Sequence, residues 1–462
     1  MMENAAKAVA DFILDFSPEH VVILCGKGNN GGDGYAAARL LQEKCDITVV
    51  VLEPPAAEEV KAQYEMCRQL DIEITDANRW LSSPKGVSKP SLSEPQIILD
   101  CIYGTGFHGE LPDAVKKLLG TANKSNAIKI ACDIPSGLYF QADYTITMGC
   151  QKLSLYSDKA KAVCGKIIVA DLGIARNKFE TTTTAAHLVE PQDITLPLRK
   201  NRAAHKGSYG HTAVLCGEKS GAAILAASAA MSFGSGLTTL VETEKSNLSQ
   251  FKISPSLMLS KALPNKTSAI LLGSGFTEYN EGAAALLKDW FERNKNPACV
   301  LDAGILTAPE FPALLAQLNS FENARIILTP HLAELSKLLE NLKLQELSSQ
   351  EISVESLANN TEIKIKAGKL LNAQFAKTTV IMKSANTFIA DGGEAFVIAD
   401  GTQSLAKGGS GDLLAGMAAA LLAQGYTSRS AAITAAEHHA LTAHKLGEQS
   451  YNFTPELFLS LY

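Results

Sequence analysis

The stretch VVILCGKGNNGGDGYAAARLL, Val21 to Leu41, decides how the first half of the chain is read. An apolar run suited to a buried strand enters a glycine-rich turn, and an alanine-rich helix leaves it. Gly26, Gly28 and Gly31 match the G-x-G-x-x-G spacing of a dinucleotide-binding turn, where glycines let a ligand approach the backbone and free helix amides favour an anion. Glu53, after the next strand, stands near the offset of a ribose-binding acid. Yet Asn29, Asn30 and Asp33 crowd the glycines, and a carboxylate at a helix start favours the dipole while repelling a pyrophosphate. The turn therefore suits hydroxyls, amides or a cation. Taken alone, Asp33 reads equally well as a helix cap.

Outward from this turn, strands at Val21–Cys25, Ile47–Leu52, Ile97–Asp100 and Ile128–Asp133 alternate with helices at Ala36–Lys44, Glu58–Leu70 and Asp113–Ala122. Such alternation predicts βαβ units around a parallel sheet, completed by strands at Tyr144–Met148 and Lys166–Ala170. The stretch Leu188–Gly210 carries prolines, a basic cluster and no sustained periodicity, which places a domain boundary near Leu198. A second alternating series follows, with strands at Thr212–Cys216, Leu237–Val241, Ile270–Gly273, Ala298–Leu301, Arg325–Leu328 and Thr379–Met382. Helices at Leu413–Ala423 and Ser428–Leu446 close it. The 462 residues thus divide into domains 1–197 and 198–462, both α/β, in keeping with a prior of ~150 residues per domain.

The net charge of −6 is spread along the chain without blocks of like sign, so no nucleic-acid partner is indicated. Nine cysteines, never spaced as C-x-x-C, suit a reducing cytoplasm better than a disulfide framework. The start, MENAAKAVADFILDF, has helical apolar spacing and lacks the features of a signal peptide. Ser220–Val241 holds 22 residues without charge and imitates a membrane span, but its glycines and serines predict a buried helix followed by a strand, so no membrane partner is expected. Ser82–Pro95 reads as a Pro/Ser-rich surface loop.

In a parallel sheet the functional crevice lies beyond the carboxyl ends of the strands. Asp100 and Asp133 each end an apolar strand there, and Pro135, Ser136 and Gly137 form a turn able to present Asp133 as a positioned base. In the second half, LAKGGSGDLLAG sets Gly408, Gly409, Ser410 and Gly411 before a helix, leaving free amides as an anion hole. Asp412 beside them would weaken plain phosphate binding but is placed to orient or deprotonate a hydroxyl attacking phosphorus.

The motifs GKGNNGGDGYAAARLL, DCIYGTGFHGEL and ACDIPSGL, in this order, resemble the epimerase domain that acts on hydrated NADH and NADPH (NADHX and NADPHX). The resemblance covers roughly Met1 to His187 and implies a Rossmann-like three-layer domain. It implies that Asn29, Asn30, Gly31, Gly32 and Asp33, together with Gly104, Thr105, Gly106, Phe107, His108, Gly109 and Glu110, bind the damaged dinucleotide. By the same resemblance Asp133 contacts it and transfers the proton, and Asn30, Asp100 and Ser136 coordinate a potassium ion (K+). A further helical stretch usually precedes the MENA segment in that family.

The glycine-rich segment before Asp412 resembles the ribokinase-like superfamily. Together with HKGSYGHTAVLCG, LLGSGF, VLDAGIL, ILTPHLAELSKLL and VIMKSANTFIADG it is similar to the ADP-dependent NAD(P)HX dehydratase domain, over about Lys200 to Tyr462. That similarity implies that Ala222, Gly275 and His331 contact the hydrated nucleotide and that Asp412 is catalytic. It assigns Lys383, Ser384, Ala385, Asn386, Thr387 and Gly411 to the adenine nucleotide. Leu332-Ala333 stands where the family commonly has Pro-Gly, and Ser384 where it commonly has glycine. The expectation is a cytoplasmic, homo-oligomeric bifunctional enzyme using ADP with Mg2+ to restore NADH and NADPH. The alternatives are a ribokinase-like small-molecule kinase fused to a non-catalytic dinucleotide-binding module, and a dehydrogenase using Glu53 as its ribose ligand.

Overall fold

The computed structural model describes residues 1–82, 95–175, 184–447 and 451–461. All but the ends of the Ser82–Pro95 stretch lies outside the described residues. The chain forms two compact units, Met1–Thr183 and Thr184–Tyr462.

In the first unit seven strands form one sheet: β1 (His20–Cys25), β2 (Asp46–Val51), β3 (Glu73–Asp76), β4 (Ile97–Cys101), β5 (Ile128–Cys132), β6 (Tyr144–Met148) and β7 (Lys166–Ala170). Their order is β3-β2-β1-β4-β5-β6-β7, with every pairing parallel. Helices α1 (Met2–Leu14), α2 (Asn29–Leu41), α3 (Glu58–Gln69), α4 (Ala77–Ser82), α5 (Asp113–Asn123) and α6 (Asp158–Lys161) complete the unit. Because strand side chains alternate, Val21, Ile23 and Cys25 join a core with α1, α2 and α3, while Val22 and Leu24 join another with α4 and α5. Two cores on two faces of one sheet make the three layers. The strand order reverses between β1 and β4, which opens the crevice beyond their carboxyl ends.

The second unit carries β8 (His187–Leu188), β9 (His211–Leu215), β10 (Leu237–Val241), β11 (Met258–Ser260), β12 (Ala269–Leu272), β13 (Ala298–Leu301), β14 (Arg325–Leu328), β15 (Thr378–Met382), β16 (Thr387–Asp391) and β17 (Glu394–Ile398). The order is β11-β10-β9-β12-β13-β14-β15-β16-β17-β8, parallel from β11 to β15 and antiparallel through the β15-β16-β17 meander. Its helices are α7 (Ser220–Ser232), α8 (Glu281–Arg293), α9 (Phe311–Asn319), α10 (Leu332–Leu342), α11 (Val354–Asn359), α12 (Thr361–Gln374), α13 (Ser410–Ala423), α14 (Ser428–Lys445) and α15 (Pro455–Leu459).

The charge-free stretch Ser220–Val241 is α7 followed by β10, and no described helix is long and apolar enough to cross a membrane. Its small residues serve packing. Ala223, Ala226, Ala227 and Ala230 of α7 are fully buried with Ala415, Ala418 and Ala419 of α13, and a Cβ on Gly416 would lie 2.1 Å from Ala226 O. Only glycine permits that approach of two helix backbones.

The boundary differs from the expected position near Leu198. His187 and Leu188 pair with Phe396 and Val397 of β17, and Tyr426 Oη donates to Thr195 O at 2.9 Å. The segment before Leu198 is thus bound to the second unit by ladder and side-chain hydrogen bonds, a long-range pairing that local periodicity does not reveal. All nine cysteines are free.

Candidate functional sites

In the first unit three turns after β1, β4 and β5 meet. A Cβ on Gly26 would lie 2.1 Å from Ile102 O, so the turn after β1 closes directly onto the end of β4. Gly28 is the N-cap of α2 and supplies no side-chain bond. Asp33 is the fifth residue of α2, not its cap. Burial, then the charge of Asp133, pushes the Asp33 carboxyl up to about 7.

Asp133 follows β5 with φ 71°, a left-handed backbone that few residues other than glycine accept and that is often found where function demands it. The residue as a whole is 8% exposed; Oδ2 accepts the Thr105 N–H at 3.1 Å. Gly104 is the point of closest approach: a Cβ there would stand 2.9 Å from Asp133 Oδ2 and 3.5 Å from Asn30 Cγ. The fold thus brings the Asn30 turn, the Gly104–Thr105 turn and Asp133 together.

Asp100 is fully buried. Its oxygens accept from Ser136 N at 2.8 Å, Ser136 Oγ at 2.7 Å and Ile102 N at 3.1 Å. Burial pushes its pKa to about 6, against the pull of the Ser136 and Ile102 donors. Asn30, 9% exposed, has neither its Oδ1 nor its Nδ2 in a hydrogen bond. A buried amide without partners is costly and marks a position built for something else.

Other expected residues stand apart. Gly31 and Gly32 face the protein, since Cβ atoms there would meet Gly26 O at 1.9 Å and Met2 Cε at 2.5 Å. Asn29, Gly106, His108, Gly109 and Glu110 are exposed, and Phe107 stacks on Tyr103 with ring centroids 4.3 Å apart. Glu53 pairs with Lys27 at 2.7 Å, a solvent-exposed bridge that engages the supposed ribose ligand. Sequence reasoning missed Lys152, whose Nζ lies 2.6 Å from Asp133 Oδ1.

In the second unit the strand order reverses between β9 and β12, and the turns after β9, β12, β13, β14 and β15 line one edge. Gly275, with φ 82°, could carry no side chain: a Cβ would lie 2.4 Å from Lys219 O, and 3.6 Å from the Ala222 Cβ. Ala222 and Gly275 are therefore neighbours. Gly409, φ 94°, is the N-cap of α13, which starts at Ser410 and carries Asp412 in its first turn.

Lys383, after β15, ties this turn to its neighbours. Its Nζ donates to Asp302 Oδ1 at 3.1 Å and lies 3.3 Å from where a Cβ on Gly411 would be. Thr329 Oγ1 donates to the same Asp302 oxygen at 2.6 Å. Burial pulls the Lys383 pKa down, but the charges of Asp302, Glu334 and Asp412 outweigh it and leave it raised. Burial, then the charge of Asp302, lifts Asp412 to about 6, against Ser274 and Lys383, which pull it down.

His331 is half exposed and caps α10, its Nδ1 accepting the Glu334 N–H at 3.2 Å. Leu332 takes the first helical position, where the family commonly has proline, and is buried instead. Ser384 Oγ accepts from the buried Lys364 Nζ at 2.8 Å and donates to Asn386 O at 2.6 Å, so the serine organises the 383–387 turn from within. Asn386 is buried, Ala385 exposed, and Thr387 begins β16. Asp302, like Asp133, follows an apolar strand, and Asp100 lies in the last residues of one; the same signal in VLDAGIL would have found it.

The family model for YjeF-related protein N-terminus matches residues 1–154, and that for NAD(P)H-hydrate dehydratase matches 212–460. Over 469 aligned residues the chain is 35% identical to the bifunctional NAD(P)H-hydrate repair enzyme Nnr of Helicobacter pylori, covering 98% of this chain and 92% of that one. The chain belongs to the bifunctional NAD(P)H-hydrate repair enzymes. The repair enzyme Nnr of Coxiella burnetii is 30% identical, over 97% of this chain and 90% of its own. A solved ADP/ATP-dependent NAD(P)H-hydrate dehydratase from Bacillus subtilis, co-crystallised with ATP and Mg2+, is 23% identical, with a TM-score of 0.47 over 57% of this repair enzyme and 91% of that chain. Within the repair-enzyme family, the two α/β units correspond to the two matched models.

Proposed function

We propose that this chain epimerises R- and S-NAD(P)HX in its first unit and dehydrates S-NAD(P)HX in its second, with ADP as phosphoryl donor. The observation that carries this is the pairing of two buried-edge aspartates with different company. Asp133, tied to Lys152 through Oδ1, turns Oδ2 to a backbone N–H and an uncharged amide beyond a strand end, whereas Asp412 sits at a glycine-rich helix start within reach of the Lys383 charge. The first arrangement suits proton transfer at a hydroxyl. The second suits phosphoryl transfer, where positioning and charge stabilisation dominate.

In the dehydratase, Asp412 takes the proton of the substrate hydroxyl as the oxygen attacks the β-phosphorus of ADP, and AMP leaves. Hydroxide is a poor leaving group and phosphate a good one. Loss of phosphate with a ring proton then restores the dihydronicotinamide. Ala222, Gly275 and His331 face the hydrated nucleotide, and Lys383–Thr387 with Gly411 hold the adenine nucleotide. Mg2+ enters with the nucleotide: no cluster of three ligating side chains occurs among the described residues, and Mg2+ is usually held by phosphates with few protein ligands.

In the epimerase, Asp133 moves the hydroxyl proton while Asn30, Asp33 and the Gly104–Glu110 turn bind the dinucleotide. Asn30, Asp100 and Ser136 would hold K+. Their oxygens are the donors a hard cation takes, and Asn30 Oδ1 is buried without a partner. The ion would supply charge to anchor the substrate. The chain acts as a homo-oligomer in the cytoplasm.

Racemic NADHX with Mg2+ and either ADP or ATP tests the reading. Complete conversion to NADH with AMP and phosphate is expected with ADP. Conversion stopping at about half would leave the dehydratase alone, and a stable phosphorylated product would favour the small-molecule kinase instead.

A further inference from the structure

We infer that Lys152 is the positioning residue that keeps Asp133 ready for proton transfer, an inference that rests on the epimerase reading above. Its ammonium lies 2.6 Å from Asp133 Oδ1, 2.6 Å from Thr147 Oγ1 and 3.2 Å from Met148 O. An ammonium carries three protons, and these three acceptors take them all. Its side chain is 19% exposed and that of Asp133 12%, so both charges are largely removed from water.

Three adjacent strands supply the parts. Thr105 follows β4 and donates its N–H to Asp133 Oδ2 at 3.1 Å; Asp133 follows β5 and donates its own N–H to Ile146 O of β6 at 2.8 Å; Lys152 follows β6. The carboxylate is held from two sides, with the Thr105 N–H on Oδ2 and Lys152, together with the Met148 N–H at 3.5 Å, on Oδ1. Oδ2 is the oxygen beside Gly104 and Thr105, the turn assigned to the dinucleotide. Oδ1 is spent on Lys152. A buried charge is costly unless an opposite charge answers it, and Lys152 is the cation within reach of Asp133. Lys152 therefore does two things through Asp133: it answers the carboxylate's buried charge, and by occupying Oδ1 it leaves Oδ2 turned toward the substrate turn. The lysine itself makes no contact that requires the ligand. A tie serving the fold alone would need neither a full charge nor this choice of oxygen.

The test uses the full chain and R-NADHX without ADP, with epimer ratios followed by chromatography. In Lys152→Ala the turnover number should fall ~10²-fold, with substrate affinity unchanged. Ethylammonium in the buffer should restore part of the loss, and Lys152→Arg should retain more activity than Lys152→Met. The second unit's dehydration of S-NADHX reports that the chain is folded. Wild-type turnover in Lys152→Ala would overturn the inference. So would a loss that appears only as weakened binding or a lowered melting temperature and that ethylammonium does not restore. Failure of the wild-type chain to epimerise would instead overturn the epimerase reading.

Discussion

Two glycine-rich turns, Gly26–Asp33 and Gly408–Asp412, look alike in sequence and differ in what surrounds their aspartates. Each runs into a helix whose first turns carry a carboxylate raised by burial, Asp33 to about 7 and Asp412 to about 6. Around Asp412 stands a cation, Lys383, anchored by Asp302 and close to Gly411. Around Asp33 the next charge is another carboxylate, Asp133, whose own cation Lys152 is fully engaged. Helix amides plus a lysine can take up the charge of a phosphoryl group. Helix amides facing two carboxylates cannot, and an uncharged hydroxyl or a cation fits them better. The comparison teaches that a glycine motif fixes the backbone cradle, while neighbouring charges decide what the cradle holds.

The strongest way to break this comparison is Asp412→Asn. Dehydration should fall ~10³-fold or more, read as the return of reduced-nicotinamide absorbance, while epimerisation persists. Equal loss of both activities would mean that the two turns do not act independently. Asp133→Asn should slow epimerisation ~10²- to 10³-fold and make racemic NADHX conversion stall at about half.

The charge contrast is sharpened by pH. Asp412 must be ionised to accept a proton, so dehydration should decline as pH falls through about 6. Lys383→Met removes a charge that favours the ionised form, and the acid limb should move upward by ~1 pH unit. A limb that stays in place would separate Lys383 from the Asp412 charge. The smallest effect is expected at Ser384→Gly, which deprives the buried Lys364 of one hydrogen bond. Stability should drop by ~1 to 3 kcal/mol in urea unfolding, with nucleotide affinity little changed.

Much of this was legible in the chain. Tyr144–Met148, Lys166–Ala170, Leu237–Val241, Ala298–Leu301 and Arg325–Leu328 match their expected strands at both ends, because short runs rich in β-branched and apolar residues between polar turns favour strands. The β16-β17 hairpin was not foreseen. Its residues Thr387–Asp391 and Glu394–Ile398 alternate weakly and pair antiparallel at one side of an otherwise parallel sheet. The strand-end aspartates Asp100 and Asp133 were visible because a charge ending an apolar run is conspicuous. Lys152 was not, since a lysine in a polar loop reads as solvated until the fold places an acceptor beside it.

The sequence by itself determined the α/β pattern, the two glycine turns and the identity of the acids that follow the strands, all of which are local features of spacing and polarity. The tertiary structure alone decided that Glu53 answers Lys27, that His187–Leu188 belongs to the second sheet, and that Lys152 and Lys383 each meet a particular carboxylate. These are pairings between residues distant in the chain or set by the turn between them. Burial and charge act through space, and the order of residues does not record which side chains the folded chain brings within hydrogen-bond reach.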